Sequence, residues 1–238
     1  MSELSLSIKT LWQAPLGWLG ASLLCGACLR LLLPNIPPRY RRLLRNARWI
    51  IIPYLGLLTG GISPRLLGLT GINWFASFGF GLVLIGSILV VLMIIRSVLA
   101  FSLSAVPAVT SPANFDLPAQ LTAPGSLQRT YATLFPVSWL EIGAEEFHLA
   151  FLRSASWELL LAWPLANPLA QYWAAWLALV LTLPAVLQDH PTMTQRLCKG
   201  ALLVTTTVLF IFTHNLWLSW LLHFLGWLLL TPGRDSTT

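Results

Sequence analysis

Charge is what this chain has least of. Only 9% of its 238 residues are Asp, Glu, Lys or Arg, against 56% hydrophobic, and the mean hydropathy is +0.74. A soluble domain carries roughly 25% charged residues to wet its surface. A water-facing globule is therefore excluded, and the expected surroundings are lipid. A membrane β-barrel is excluded as well. In hydrocarbon every backbone polar group must be bonded inside helices or a closed sheet, and the apolar runs here are continuous rather than alternating. Cysteine is scarce too. Cys25 and Cys28 form a C-x-x-C inside the first apolar run, and Cys198 stands alone. With no second ligand pair, the motif reads as soft packing rather than redox or zinc chemistry. No structural disulfide is implied. Phosphate-binding signatures are missing, both G-x-x-x-x-G-K-[ST] and a G-x-G-x-x-G that opens a helix after a strand. No internal repeat is visible, which disfavours a transporter even though the break at Gly60-Gly61 would suit one. The first run lacks a small-residue cleavage site and is expected to remain as a true helix.

What the chain does have is a series of apolar runs of about twenty residues, the length that crosses a bilayer. The fold class expected is all-α, a polytopic transmembrane bundle of about six to eight helices. The first run covers Leu11 to Leu33 and ends at Pro34. Five arginines (Arg39, Arg41, Arg42, Arg45, Arg48) then crowd the stretch 34–48, read as a loop, and contribute much of the net charge of +6. The positive-inside rule places that loop in the cytoplasm, with anionic-lipid contact as a secondary effect; nucleic acid is not an expected partner. A second run starts at Trp49, is interrupted by Pro53 and Gly60-Gly61, and leaves a short or re-entrant piece with Arg65. A third, Ile72 to Ile95, is closed by Arg96, and 97–109 is expected at the interface. Residues 1–109 thus form an N-terminal set of membrane helices. A Pro-, Ser- and Thr-rich linker, 110–128, separates them from a second helical core, 129–230, followed by a polar tail, 231–238. Within that core, separate helices are expected at 130–152, 157–166, 169–187, 197–212 and 215–230. Many of the twelve Trp residues fall near run ends, as in an interfacial belt.

Ionisable residues inside lipid are costly, which makes them functional candidates. One cluster runs from Glu141 through Glu145, Glu146 and His148 to Arg153. Helical spacing puts Glu141, Glu145 and His148 on one stripe, and Glu146 with Arg153 on its neighbour. Three carboxylates on two turns repel strongly in a low dielectric. At least one is expected to be protonated, paired with Arg153, or turned to a polar cavity. The plainer alternative sets this helix end among lipid headgroups. The second constellation is His214, Asn215 and His223. Thr213 to Asn215 reads as a turn and helix N-cap, and His223 lies about two turns inside the last apolar run.

Glu145-Glu146, together with Thr213, Asn215, Leu216, Trp217 and His223, resembles the CPBP family, the type II CAAX-prenyl endopeptidases and bacteriocin-processing or self-immunity membrane proteins. The resemblance covers about 134–230. It implies a helical membrane core in which a glutamate and histidines activate water for peptide cleavage. A tuned general base would take the proton, and a final His-x-x-x-Asn would help stabilise the oxyanion. On that reading Glu145, Glu146 and His223 are the catalytic candidates, with His148 or His190 as partners. The chain departs from the family pattern in three places. Ala150 stands where its Arg belongs, with Arg153 one turn late. Trp227 replaces the Asn four residues after His223. The middle Phe-x-x-x-His is absent near 186–190, where Gln188 and His190 fall close to the register; the literal match from Phe210 to His214 lies too close to His223.

Three functions are therefore open: a non-catalytic CPBP relative serving as scaffold or accessory subunit in a membrane assembly; an active intramembrane endopeptidase acting on a membrane-protein or prenylated substrate; and a pigment- or cofactor-binding subunit using His148 and His214, and also His223, as axial ligands. Glu145 and His148 make a Glu-x-x-His, half of a di-iron carboxylate site. No second copy exists, and no metal site is assigned. The location expected is a bacterial-type cytoplasmic or an internal, thylakoid-like membrane, with other membrane proteins as partners.

Overall fold

A computed structural model describes residues 14–104, 126–161, 169–188 and 193–230. Among them there is no strand. Seven α-helices follow in order: α1 Pro15–Leu32, α2 Pro38–Leu58, α3 Trp74–Ser104, α4 Ser126–Leu161, α5 Ala170–Gln188, α6 Met193–Thr213 and α7 Leu216–Leu230. The polar tail, most of the 110–128 linker, residues 162–166 and His190 lie outside the described residues.

Three boundaries differ from the sequence expectation. The arginine-rich stretch is not a loop beyond Pro37. A 3-10 turn at Leu33–Asn35 ends α1, and α2 starts at Pro38. Proline suits the first helical turn, where its missing N–H costs nothing, and arginine is a good helix former. The helix also continues through Pro53 to Leu58. Secondly, Arg96 does not close α3, which runs on to Ser104 through a stretch without Gly or Pro. Thirdly, the helices expected at 130–152 and 157–166 are one, α4, continuous through Ser154-Ala155-Ser156 to Leu161. Two serines without Gly or Pro are too weak an interruption to end a packed helix.

α4 is the central post, packed against α1, α2, α5 and α7, while α3 lies on α6 and α7. Leu149, Phe151, Leu152 and Ala155 of α4 form the main core with Trp18, Ile52, Ala178 and Leu203. A second core joins Ile85 of α3 to Leu209, Leu218 and Leu222. Helices contributed by both halves of the chain thus share one core. The outer faces carry large apolar side chains, with Phe75 96% exposed and Leu31 78%, a surface suited to hydrocarbon rather than water. Three stretches, Pro15–Asn35, Trp74–Ile94 and Gln195–Thr213, are long and apolar enough to cross a bilayer, which is compatible with an integral membrane protein.

The segment between α2 and α3 is a set of turns, not a helix. It folds inward, burying Ile62 and Leu67, and docks on the α6–α7 turn, where Leu216 N–H donates to the Gly68 carbonyl at 3.3 Å. Gly68 has φ +75°, and a Cβ there would meet the His214 carbonyl oxygen at 2.6 Å. Only glycine satisfies both conditions.

Candidate functional site

The carboxylates of α4 meet the histidine of α7 in the interior. Glu146 is the hub. Its Oε2 accepts from Arg153 Nη2 at 3.1 Å, and its Oε1 lies 2.7 Å from His223 Nδ1. The other nitrogen of that ring, Nε2, lies 2.6 Å from Lys199 Nζ on α6. Lys199 in turn is 2.7 Å from Glu145 Oε2. The result is an unbroken relay, Arg153–Glu146–His223–Lys199–Glu145, in which every member is at most 5% exposed. With Lys199 donating as an ammonium, the matching tautomer of His223 accepts at Nε2 and donates from Nδ1–H to Glu146. Two cations then face two carboxylates across a neutral imidazole. Buried ions persist only when paired, and each charge of the relay has a partner, although Glu145 Oε1 and Arg153 Nη1 make no hydrogen bond within the protein.

Its two cations are covered by aromatic rings. The Arg153 guanidinium lies 4.1 Å from the Phe210 ring centroid, and the Lys199 ammonium 4.9 Å from that of Trp227. Both are cation–π distances. Trp227, at the position where the CPBP pattern has Asn, offers its π face to a cation. The α4–α7 contact is close because Gly143 lacks a side chain; a Cβ there would meet Trp220 at 2.7 Å.

Glu145, Glu146 and His223 therefore come together. The stripe spacing anticipated the Glu146–Arg153 pair. His148 does not join them. It faces α1 and α2, with Nε2 3.5 Å from Ser22 Oγ and its ring between Trp49 and Phe151. Glu141, on the same side, accepts from Asn46 Nδ2 at 3.4 Å. His214 is elsewhere again, in the α6–α7 turn at φ 47°, with its ring near Trp157 and Phe210. Burial pushes its imidazole below the ordinary value. Asn215 is the N-cap of α7, its Oδ1 accepting from Trp217 N–H at 3.0 Å, within the turn and cap expected over Thr213 to Asn215. The two histidines named as cofactor ligands thus occupy separate environments. Among the described residues no group of three or more His, Cys, Asp or Glu is placed to hold a metal ion.

Lys199 is the functional residue that sequence reasoning missed. It sits three residues into the apolar run 197–212, a position flagged by the same rule that singled out the glutamates. Beyond these contacts, no family model, no curated protein and no solved structure matches the chain.

Proposed function

We propose that the chain is an integral membrane protein related to the CPBP intramembrane proteases, serving as a non-catalytic scaffold or accessory subunit of a membrane assembly. One observation carries this reading: the Lys199 ammonium is held between Glu145 and His223, 2.7 and 2.6 Å from them. A general base needs a free lone pair within reach of a water proton. Both nitrogens of His223 are engaged, by Glu146 and by Lys199. The same ammonium neutralises Glu145, and Trp227 offers no amide for an oxyanion. Such a relay ties the His223 imidazole and one oxygen of Glu145 into the packed interior and withdraws them from proton transfer. The apolar outer faces of α1 and α3 suit contacts with lipid and with other membrane proteins. In a bacterial-type cytoplasmic or internal membrane, the arginine-bearing end of α2 would face the cytoplasm.

The competing reading, an active endopeptidase with Glu145 as base, draws on Glu145 Oε1, which is buried and makes no hydrogen bond within the protein. Proteoliposomes carrying the full chain separate the two. Incubated with a prenylated CAAX peptide and with a single-span membrane reporter, the wild type and Glu145→Gln are expected to leave both substrates intact. Cleavage by the wild type that disappears in Glu145→Gln would replace the scaffold reading with the protease. Pigment or cofactor binding has less support, since His148 and His214 lie in separate environments, His148 packed between Trp49 and Phe151 and His214 in the α6–α7 turn.

A further inference from the structure

At the end of α2 opposite its arginines, the turns of 59–73 and the α6–α7 turn enclose a cavity of about 530 Å³, within the range of ligand pockets. It has two kinds of wall. Arg65, Thr70 and Asn73 line it with polar groups, and Phe80, Trp157 and Phe212 line it with rings. Arg65 is exposed and has no ion pair among the described residues. The segment 59–73 contains no Asp or Glu, and Glu158, the carboxylate at this end of α4, is held by Ser63 N–H at 2.8 Å. An uncompensated cation therefore stands at the mouth of the cavity. Phe80 and Phe212 pack against each other at 5.7 Å, yet each remains more than half exposed, at 52% and 60%, on the outer side of α3 and α6. A site that joins a bare guanidinium to an open aromatic wall matches an amphiphile with an anionic head and an apolar body.

We propose that this cavity is a binding site for an anionic glycerophospholipid, with the phosphodiester at Arg65 and the acyl chains over Phe80 and Phe212. Guanidinium suits phosphate oxygens because it presents several N–H donors in a fixed fork. Thr70 and Asn73 add neutral polar groups at the same rim. The walls are joined by hydrogen bonds: Leu216 N–H donates to the Gly68 carbonyl, and Ser77 Oγ donates to the Thr213 carbonyl at 3.1 Å, beside the left-handed turn at His214. The proposal rests on the membrane reading but not on whether the buried relay is catalytically inert.

Native mass spectrometry of the detergent-solubilised full chain tests it. Dioctanoyl phosphatidylglycerol is expected to bind about fivefold more tightly than dioctanoyl phosphatidylcholine, the effect of one unopposed cation on an anionic headgroup. Arg65→Gln should erase that preference, and Ala76→Leu, which fills the cavity without altering charge, should weaken both lipids. Arg41→Gln, at the far end of α2, should leave the preference intact, and millimolar inorganic phosphate should not displace the lipid. Equal binding of the two lipids, an unchanged preference in Arg65→Gln, or an equal loss in Arg41→Gln would each overturn the site. Displacement by inorganic phosphate at concentrations matching the lipid would overturn the lipid assignment in favour of a free-anion site.

Discussion

α4 presents ionisable residues to two sides, and the two sides solve burial differently. Toward α6 and α7, Glu145, Glu146 and Arg153 are matched by Lys199 and His223 into a relay of short contacts. Toward α1 and α2, His148 meets a serine at 3.5 Å and two aromatic rings, and its Nδ1 makes no hydrogen bond within the protein. The first side keeps its charges and depends on every partner being present. The second tolerates a polar ring by surrounding it with π surface. If the comparison holds, substitutions on the relay side are expensive and those on the histidine side are cheap.

The largest effect is expected at the hub. Glu146→Ala strands both Arg153 and His223, and breaking a buried ion pair from one side costs about 3–5 kcal/mol. Thermal unfolding in detergent micelles should show a loss of that order, and a change within the error of the measurement would mean the relay contributes little. Next comes Lys199→Met, which leaves Glu145 buried and unpaired at a cost of about 3 kcal/mol. Adding Glu145→Leu should restore most of that stability, because replacing both members of a buried pair is often neutral. The double-mutant cycle should yield a coupling of about 1 kcal/mol or more, and additivity would dissolve the pair. At the α6–α7 turn, Gly68→Ala forces a Cβ onto the His214 carbonyl at positive φ, worth about 1–3 kcal/mol. Smaller still is Asn215→Ala, the loss of a helix cap, at about 1 kcal/mol. His148→Leu should fall within about 1 kcal/mol of wild type in either direction, since it exchanges a poorly hydrogen-bonded ring for apolar volume. A large loss there would erase the contrast between the two sides.

Much of this contrast was legible in the sequence, though unevenly. The carboxylate stripe was visible because charges are so rare that each one stands out, and the seven-residue spacing of Glu146 and Arg153 follows from helix geometry. The Asn215 cap was readable from local chemistry alone. Lys199 was passed over because it sits near the start of an apolar run, where a lysine ordinarily reaches for the interface; only the crossing of α6 with α7 turns it inward. The separation of His148 from the relay was beyond spacing arguments as well. Glu145 and His148 are three residues apart on one helix, so they share a face, but which neighbour covers each depends on the packing of α1 and α6. The arginine stretch was misread for a related reason: charge density and prolines suggest a loop, whereas Pro38 in the first turn and helix-favouring arginines extend α2.

The relay also constrains the order in which the protein is made. It joins α4 to residues far along the chain, with His223 77 residues beyond Glu146. A nascent chain that ends before α6 holds, on α4, both carboxylates of the relay but only one of its two cations, Arg153, so Glu145 lacks its Lys199 partner. That helix is poorly suited to hydrocarbon until the last two helices arrive. The electrical balance of α4 is thus supplied by α6 and α7, segments not yet translated when it first emerges.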